Sequence, residues 1–204
     1  MIDAALIENC ADPALKPAIV ERFIAEAGSP DPLAVTVRSG DRVVLVPRLS
    51  TSDDAMALVR QYVGQAVVRV GITQYPAGLG IADPSELKPG LVDACENIRM
   101  GTALFGKVYR IVTKWYGNAV DEAFDDAIYA WRTGYFEGRS VFSEPDASDV
   151  PVATPELDER VSDRETGSVS VSVADEVKTI PEEAADPNTA GIRIDLSAIG
   201  GAGR

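Results

Sequence analysis

Over the first 142 positions the apolar residues recur mainly at helical spacing, with one interval of alternation. Ile19, Val20, Phe23 and Ile24 form one stripe behind Lys16-Pro17, and a proline at the first helical position suits such an opening. Gly28, Pro30 and Pro32 stop that helix. Leu33 to Val37 and Arg42 to Val46 are rich in β-branched residues and flank Ser39-Gly40-Asp41, which predicts a hairpin. Thr51 or Ser52 caps a helix running to about Val63, with Ala55, Leu58, Val59 and Tyr62 facing inward. A short apolar stretch, Val67 to Ile72, precedes a loop rich in glycine and proline from Tyr75 to Pro89. The longest helical pattern covers Asp93 to Tyr116, with Ile98, Ala103, Leu104, Val108, Ile111 and Trp115 on its apolar side. A last helix runs from Val120 to about Gly134. The sum is an α+β domain, mostly helical.

That pattern stops at Phe142. All 13 aromatic residues precede Ser143, and from there to Arg204 the chain holds 14 acids and 5 bases, a net of −9. Such a segment buries too little apolar area to offset its ordering entropy. The expected organisation is therefore a domain over 1–142 and a disordered acidic tail over 143–204. Ser168 to Val173 alternates like a strand and Gly191 to Ile199 could pair with a sheet edge, but both are expected to be coil.

Composition narrows the chemistry. The 204 residues include 32 acids and 19 bases, a net charge of −13, which argues against a nucleic-acid partner. There is no histidine, so imidazole bases, His-paired nucleophiles and His-ligated zinc are excluded; no cofactor or metal is expected. No apolar run reaches the roughly 18 residues that a membrane span needs. Met1 to Asn9 has neither a basic nor an apolar signal region, so work outside the cytoplasm would need an upstream start or another export route. The two cysteines, Cys10 and Cys95, are either small buried apolar residues or one long-range disulfide, which would need an oxidising compartment.

With histidine absent, carboxylates are the main candidates for proton transfer. Glu26 follows Phe23 by three residues and Ile19 by seven, on or beside the buried stripe, in the last turn of its helix. Desolvation and the negative helix end both favour a protonated carboxyl there, as a general acid for a glycosidic oxygen requires. The alternative is a solvated glutamate at a helix end. Glu21 points away from Ile19 and reads as surface.

Several segments carry a family resemblance. Cys10-Ala11, then Glu26-Ala27-Gly28 and Asp31-Pro32-Leu33-Ala34, resembles the opening of lytic transglycosylases attached to type IV secretion systems. Val70-Gly71-Ile72-Thr73-Gln74 resembles that family's Gly-Leu-Met-Gln motif. Cys95-Glu96-Asn97-Ile98-Arg99-Met100-Gly101 resembles its Cys-x-Asn-Leu-x-x-Gly element, and Ala130 to Phe136 lies where the family has Tyr-Asn-x-Gly-x-Phe. The order and gaps are compatible over about residues 8 to 140.

The resemblance implies a lysozyme-like fold of the goose-type, soluble-lytic-transglycosylase kind. It also implies cleavage of the MurNAc-GlcNAc bond of peptidoglycan glycan strands, in the periplasm, for a plasmid conjugation or type IV secretion apparatus. Glu26 would be the single acid and base, passing a proton between the leaving oxygen and the sugar's own C6 hydroxyl. Gln74 would line the sugar groove with Gly71, Tyr75 and Trp131, the last replacing a family tyrosine near Glu26. Cys10 and Cys95 match family cysteines, which implies the disulfide, while Asn97 and Gly101 would position helices. Where the family has Glu-Ser-Gly, Gly-Leu-Met-Gln and Tyr-Asn, this chain has Ala27, Thr73 and Trp131-Arg132. An Arg132 turned toward Glu26 would favour its ionised form. The alternative function is a catalytically degenerate assembly factor that binds glycan or partner proteins without cleaving.

Overall fold

The computed structural model describes residues 2–152. Asp3 opens a first helix, α1 (Ala4–Cys10), by accepting the Ala5 N–H at 3.0 Å. The chain continues through α2 (Pro17–Ala27), a hairpin of β1 (Val35–Ser39) and β2 (Arg42–Val44), α3 (Ser52–Tyr62), β3 (Val67–Val70) and β4 (Tyr75–Pro76). Short 3-10 turns at Pro84–Glu86 and Pro89–Val92 lead into α4 (Ala94–Tyr116) and α5 (Asp121–Thr133), and a small hairpin of β5 (Tyr135–Phe136) and β6 (Arg139–Ser140) follows.

The helix ends follow local chemistry. Thr51 and Asp93 cap α3 and α4 by accepting the N–H groups of Asp54 and Glu96. Gly117 and Gly134 close α4 and α5 at φ 83° and 82°, left-handed backbone that a Cβ would strain. The Gly40-Asp41 turn has its positive φ, 56°, at Gly40 and holds Ser39 opposite Arg42.

The antiparallel sheet has the order β2-β1-β3-β4. Its inner face buries Val35, Val37, Val68 and Val70 against Ala55, Met56 and Val59 of α3. Register puts Thr36 opposite Arg69 and Arg38 opposite Val67, so these four share the outer face. A second core joins α1, α2, α4 and α5 around Phe23, Phe105, Phe124 and Trp131, with Phe23 and Phe105 stacked at 4.0 Å between ring centres.

Three expectations need correction. Helix α1 has no counterpart in the periodicity, because seven residues are too few to show a stripe. The buried arc of α4 runs through Ile98, Phe105 and Val112, one residue round from the expected one. Ala103 is consequently exposed, Leu104 and Ile111 sit at the edge, and Trp115 is 60% exposed. The packed structure also extends beyond Phe142. Ala147 is buried, Val152 packs on the helical core, and Arg110 grips Asp146 through bonds of 2.8 and 2.6 Å. Residues 153–204, including the Ser168–Val173 and Gly191–Ile199 segments, lie outside the described residues.

Candidate active site

The end of α2 is pressed against the turn that follows β3. A Cβ on Gly28 would overlap the carbonyl oxygens of Ile72 and Ile24, so only glycine lets the two segments meet. The Ser29 N–H donates to the Ile72 carbonyl at 2.8 Å and fixes the junction. Glu26 stands on the last turn of α2 beside it.

The turn itself is organised from beneath by Asn97 of α4. The Asn97 side chain accepts from the Thr73 N–H and hydroxyl, both at 2.9 Å, and donates to the carbonyls of Val70 at 3.0 Å and Leu91 at 2.8 Å. Gly71 (φ 74°) lies against that amide and Gly101 against the Thr73 side chain; a Cβ at either would collide. Thr73 is thus a buried polar residue with its hydroxyl satisfied. Gln74 follows at φ 51°, and its amide donates to the Gly71 carbonyl at 2.9 Å and accepts from the Thr36 hydroxyl at 2.8 Å.

The end of α5 closes the third side. Trp131 donates its indole N–H to the Thr73 carbonyl at 3.1 Å, and an Arg132 Nη2 donates to the main-chain carbonyl of Glu26. Arg69 ties the same pieces from the sheet. Its guanidinium donates to the carbonyls of Gln74 at 3.1 Å, Trp131 at 2.5 Å and Arg132 at 3.1 Å. These last two are free carbonyls of a helix end, where a cation is favoured.

The structure thus brings Glu26, the Gly71–Gln74 turn and Trp131-Arg132 to one place, on a frame supplied by Asn97 and Gly101. It differs from expectation at several side chains. Glu26 lies off the buried stripe: it is 37% exposed, and Arg22, one turn earlier, donates from Nε to its Oε1 at 2.9 Å. The same guanidinium holds Asp121 at 2.7 Å and Asp125 at 2.8 Å. Arg132 reaches the backbone of Glu26, so the cation on the carboxylate is Arg22.

Trp131 is fully buried, edge-on to Phe23 at 5.1 Å and to Phe142 at 5.7 Å, and so supports the site from within the core without lining a groove. Gly71 is a packing position for the same reason. Tyr75 pairs with Val70, putting its ring on the inner side of the sheet, where it lines a cavity of about 170 Å³ with Leu87, Leu91 and Met100. Burial there raises its pKa. Gln74, half-buried, is the expected groove residue nearest the open face of the sheet.

Sequence reasoning passed over Arg22 and Arg69. The signals were present: an Arg four residues before a helix-end Glu, and a lone cation inside Val67-Val68-Arg69-Val70. The implied disulfide joins Cys10 of α1 to Cys95 of α4, with 5.1 Å between the Cα atoms. Among the described residues there is no cluster of acids or cysteines fit to hold a metal, and no helix long and apolar enough to cross a membrane.

Comparison with known proteins agrees with part of this reading. A curated relative, the uncharacterized protein y4dP of Sinorhizobium fredii (strain NBRC 101917 / NGR234), is 54% identical over 206 residues, 98% of this chain and 100% of that protein. No solved structure matches. The TraH_2 family model matches residues 1–201; the chain therefore belongs to the TraH_2 family, a TraH-like conjugation family, and its membership points to a role in conjugative transfer.

Proposed function

We propose that the protein is a peptidoglycan lytic transglycosylase that opens the cell wall locally for a conjugation apparatus, with Glu26 as its acid and base. One observation carries this reading: the end of α2, the Gly71–Gln74 turn and the end of α5 converge on a single place. A carboxylate at a helix end beside a small antiparallel sheet also suits the lysozyme-like fold implied by the resemblance. The Cys10–Cys95 disulfide favours an oxidising compartment, which supports the periplasm as the place of work.

In this mechanism the Glu26 carboxyl gives its proton to the glycosidic oxygen as the bond to the muramyl C1 breaks. The C6 hydroxyl of the same sugar then attacks C1 and returns its proton to Glu26, closing an anhydro ring without consuming water. Glu26 must leave Arg22 to meet the sugar. Asp121 and Asp125 remain on the Arg22 guanidinium, so that turn does not strand a cation. Gln74, held by Thr36 and Gly71, presents a fixed amide to the glycan.

Purified protein with its disulfide intact is expected to clear cell-wall material embedded in a gel, and Glu26→Gln to leave the gel opaque. Undiminished clearing by the variant would remove Glu26 from the chemistry. A second reading, an assembly factor that binds glycan without turnover, is favoured by the ion pair that occupies Glu26 and by the burial of Trp131. Co-sedimentation with peptidoglycan in the absence of any released product would select it.

A further inference from the structure

The outer face of the sheet carries two arginines that the cleavage step does not use. Arg69 of β3 is only 9% exposed, and its hydrogen bonds go to main-chain carbonyls, with no carboxylate in contact among the described residues. Its guanidinium lies over the rings of Trp131 and Phe142, 5.8 and 6.0 Å from their centres. Burial, and then the positive charge of Arg38, bring its pKa down to about 10, so it stays a cation at neutral pH. Arg38, on the same face of β1, is exposed and makes no ion pair among the described residues.

Both arginines line one open cleft of about 560 Å³, a volume suited to a small ligand. Val67, Leu79, Tyr135 and Phe142 give it apolar walls. Among the described residues no acid lines this cleft. Among the described residues the Arg69 Nε–H makes no hydrogen bond, and Arg69 is one of the residues that line the cleft. Two like charges drawn together without a counter-charge, one of them held with an unused donor, make a site for an anion carried on an apolar body.

We propose that this cleft binds a carboxylate of the stem peptide carried by a wall glycan strand. The inference rests on the peptidoglycan reading above and narrows its substrate to peptide-bearing strands. Continuity supports it: Gln74 bonds Thr36 through its side chain and Arg69 through its carbonyl, joining the sugar side to the cleft. Thr36 and Arg38 stand two residues apart on one strand, roughly 7 Å, within reach of the substituent on a muramyl ring.

Calorimetric titration of the whole, disulfide-bonded protein tests this with a disaccharide-tetrapeptide, the free tetrapeptide, a denuded GlcNAc-MurNAc strand and a chito-oligosaccharide without carboxylates. The peptide-bearing sugar is expected to bind about tenfold tighter than the chito-oligosaccharide, and Arg38→Glu to abolish that preference while leaving the chito-oligosaccharide unchanged. Arg69→Lys, which keeps the charge but loses the fork, is expected to weaken the peptide arm as well. A preference that survives Arg38→Glu overturns the proposal, as does a denuded strand binding as tightly as the peptide-bearing sugar. Arg38-dependent binding of the free tetrapeptide with no binding of any glycan would uphold the cleft while removing the peptidoglycan reading. Silence from every ligand would remove both.

Discussion

Asn97 shows how much of the site rests on one buried amide. Its four hydrogen bonds hold Thr73, Val70 and Leu91 in place beneath the turn that presents Gln74. Replacing it with alanine strands two carbonyls and the Thr73 donors in the core, so Asn97→Ala is expected to cost more than about 3 kcal/mol in denaturant unfolding. Gly101→Ala drives a methyl into the Thr73 side chain and is expected to cost about 1–3 kcal/mol. A loss below about 0.5 kcal/mol for both single variants would mean that the turn is not braced from α4. At this scale the sequence told which residues matter better than where they point. Glu26 stood out by its place at a helix end, but a one-residue difference in azimuth separates a desolvated acid from an exposed, ion-paired carboxylate. Trp131 matched a position by motif, and only packing among Phe23, Phe105 and Phe142 decides that it faces inward.

Among the elements, those bounded by local chemistry were legible. Pro17, Gly28, Thr51, Asp93 and Gly134 mark helix ends that depend on caps and positive φ, and the Gly40-Asp41 turn is equally local. Helix α1 was not, because its seven residues are too few to show a stripe and Cys10 is bonded to a residue 85 positions away. The segment after Phe142 was hidden for a related reason. It has few apolar groups, and it docks on α4 through charge: Arg110 with Asp146, and Lys114 with Asp149. The Arg110 hydrogen bonds hold the Asp146 pKa below its usual value. A carboxylate with a depressed folded-state pKa adds stability above its unfolded value, near pH 4, and loses it as pH falls through the lower folded value. The protection of amides in residues 143–152, relative to their intrinsic exchange rates, is therefore expected to fall below about pH 4 before the helical core responds, and Arg110→Gln to produce the same loosening at neutral pH. The energy is modest, under about 1 kcal/mol, because Asp146 is 39% exposed. Protection in that segment unchanged by acid and by Arg110→Gln would show that Ala147 and Val152 alone hold it.

The whole described structure consists of two cores, helical and sheet-based, meeting where Glu26, Gln74 and Arg132 come together. The disulfide ties α1 to α4 across an interval of 85 residues within the helical core. Loop-closure entropy values such a link at about 4 kcal/mol, so reduction is expected to lower the unfolding midpoint sharply, and a Cys10→Ser, Cys95→Ser double variant to match the reduced protein. Identical midpoints for oxidised and reduced protein would deprive the bond of a structural role. Motif order along the chain indicated which segments would meet; it could not show the outer face of the sheet, because Arg38 and Arg69 become neighbours only through strand register. The most direct measurement is the mass of the products that wild type and Glu26→Gln release from the same purified peptidoglycan in heavy-oxygen water. Wild type is expected to yield unlabelled, anhydro-ended muramyl fragments and the variant none. Label at the new sugar ends, or equal release by Glu26→Gln, would contradict a Glu26-driven transglycosylase.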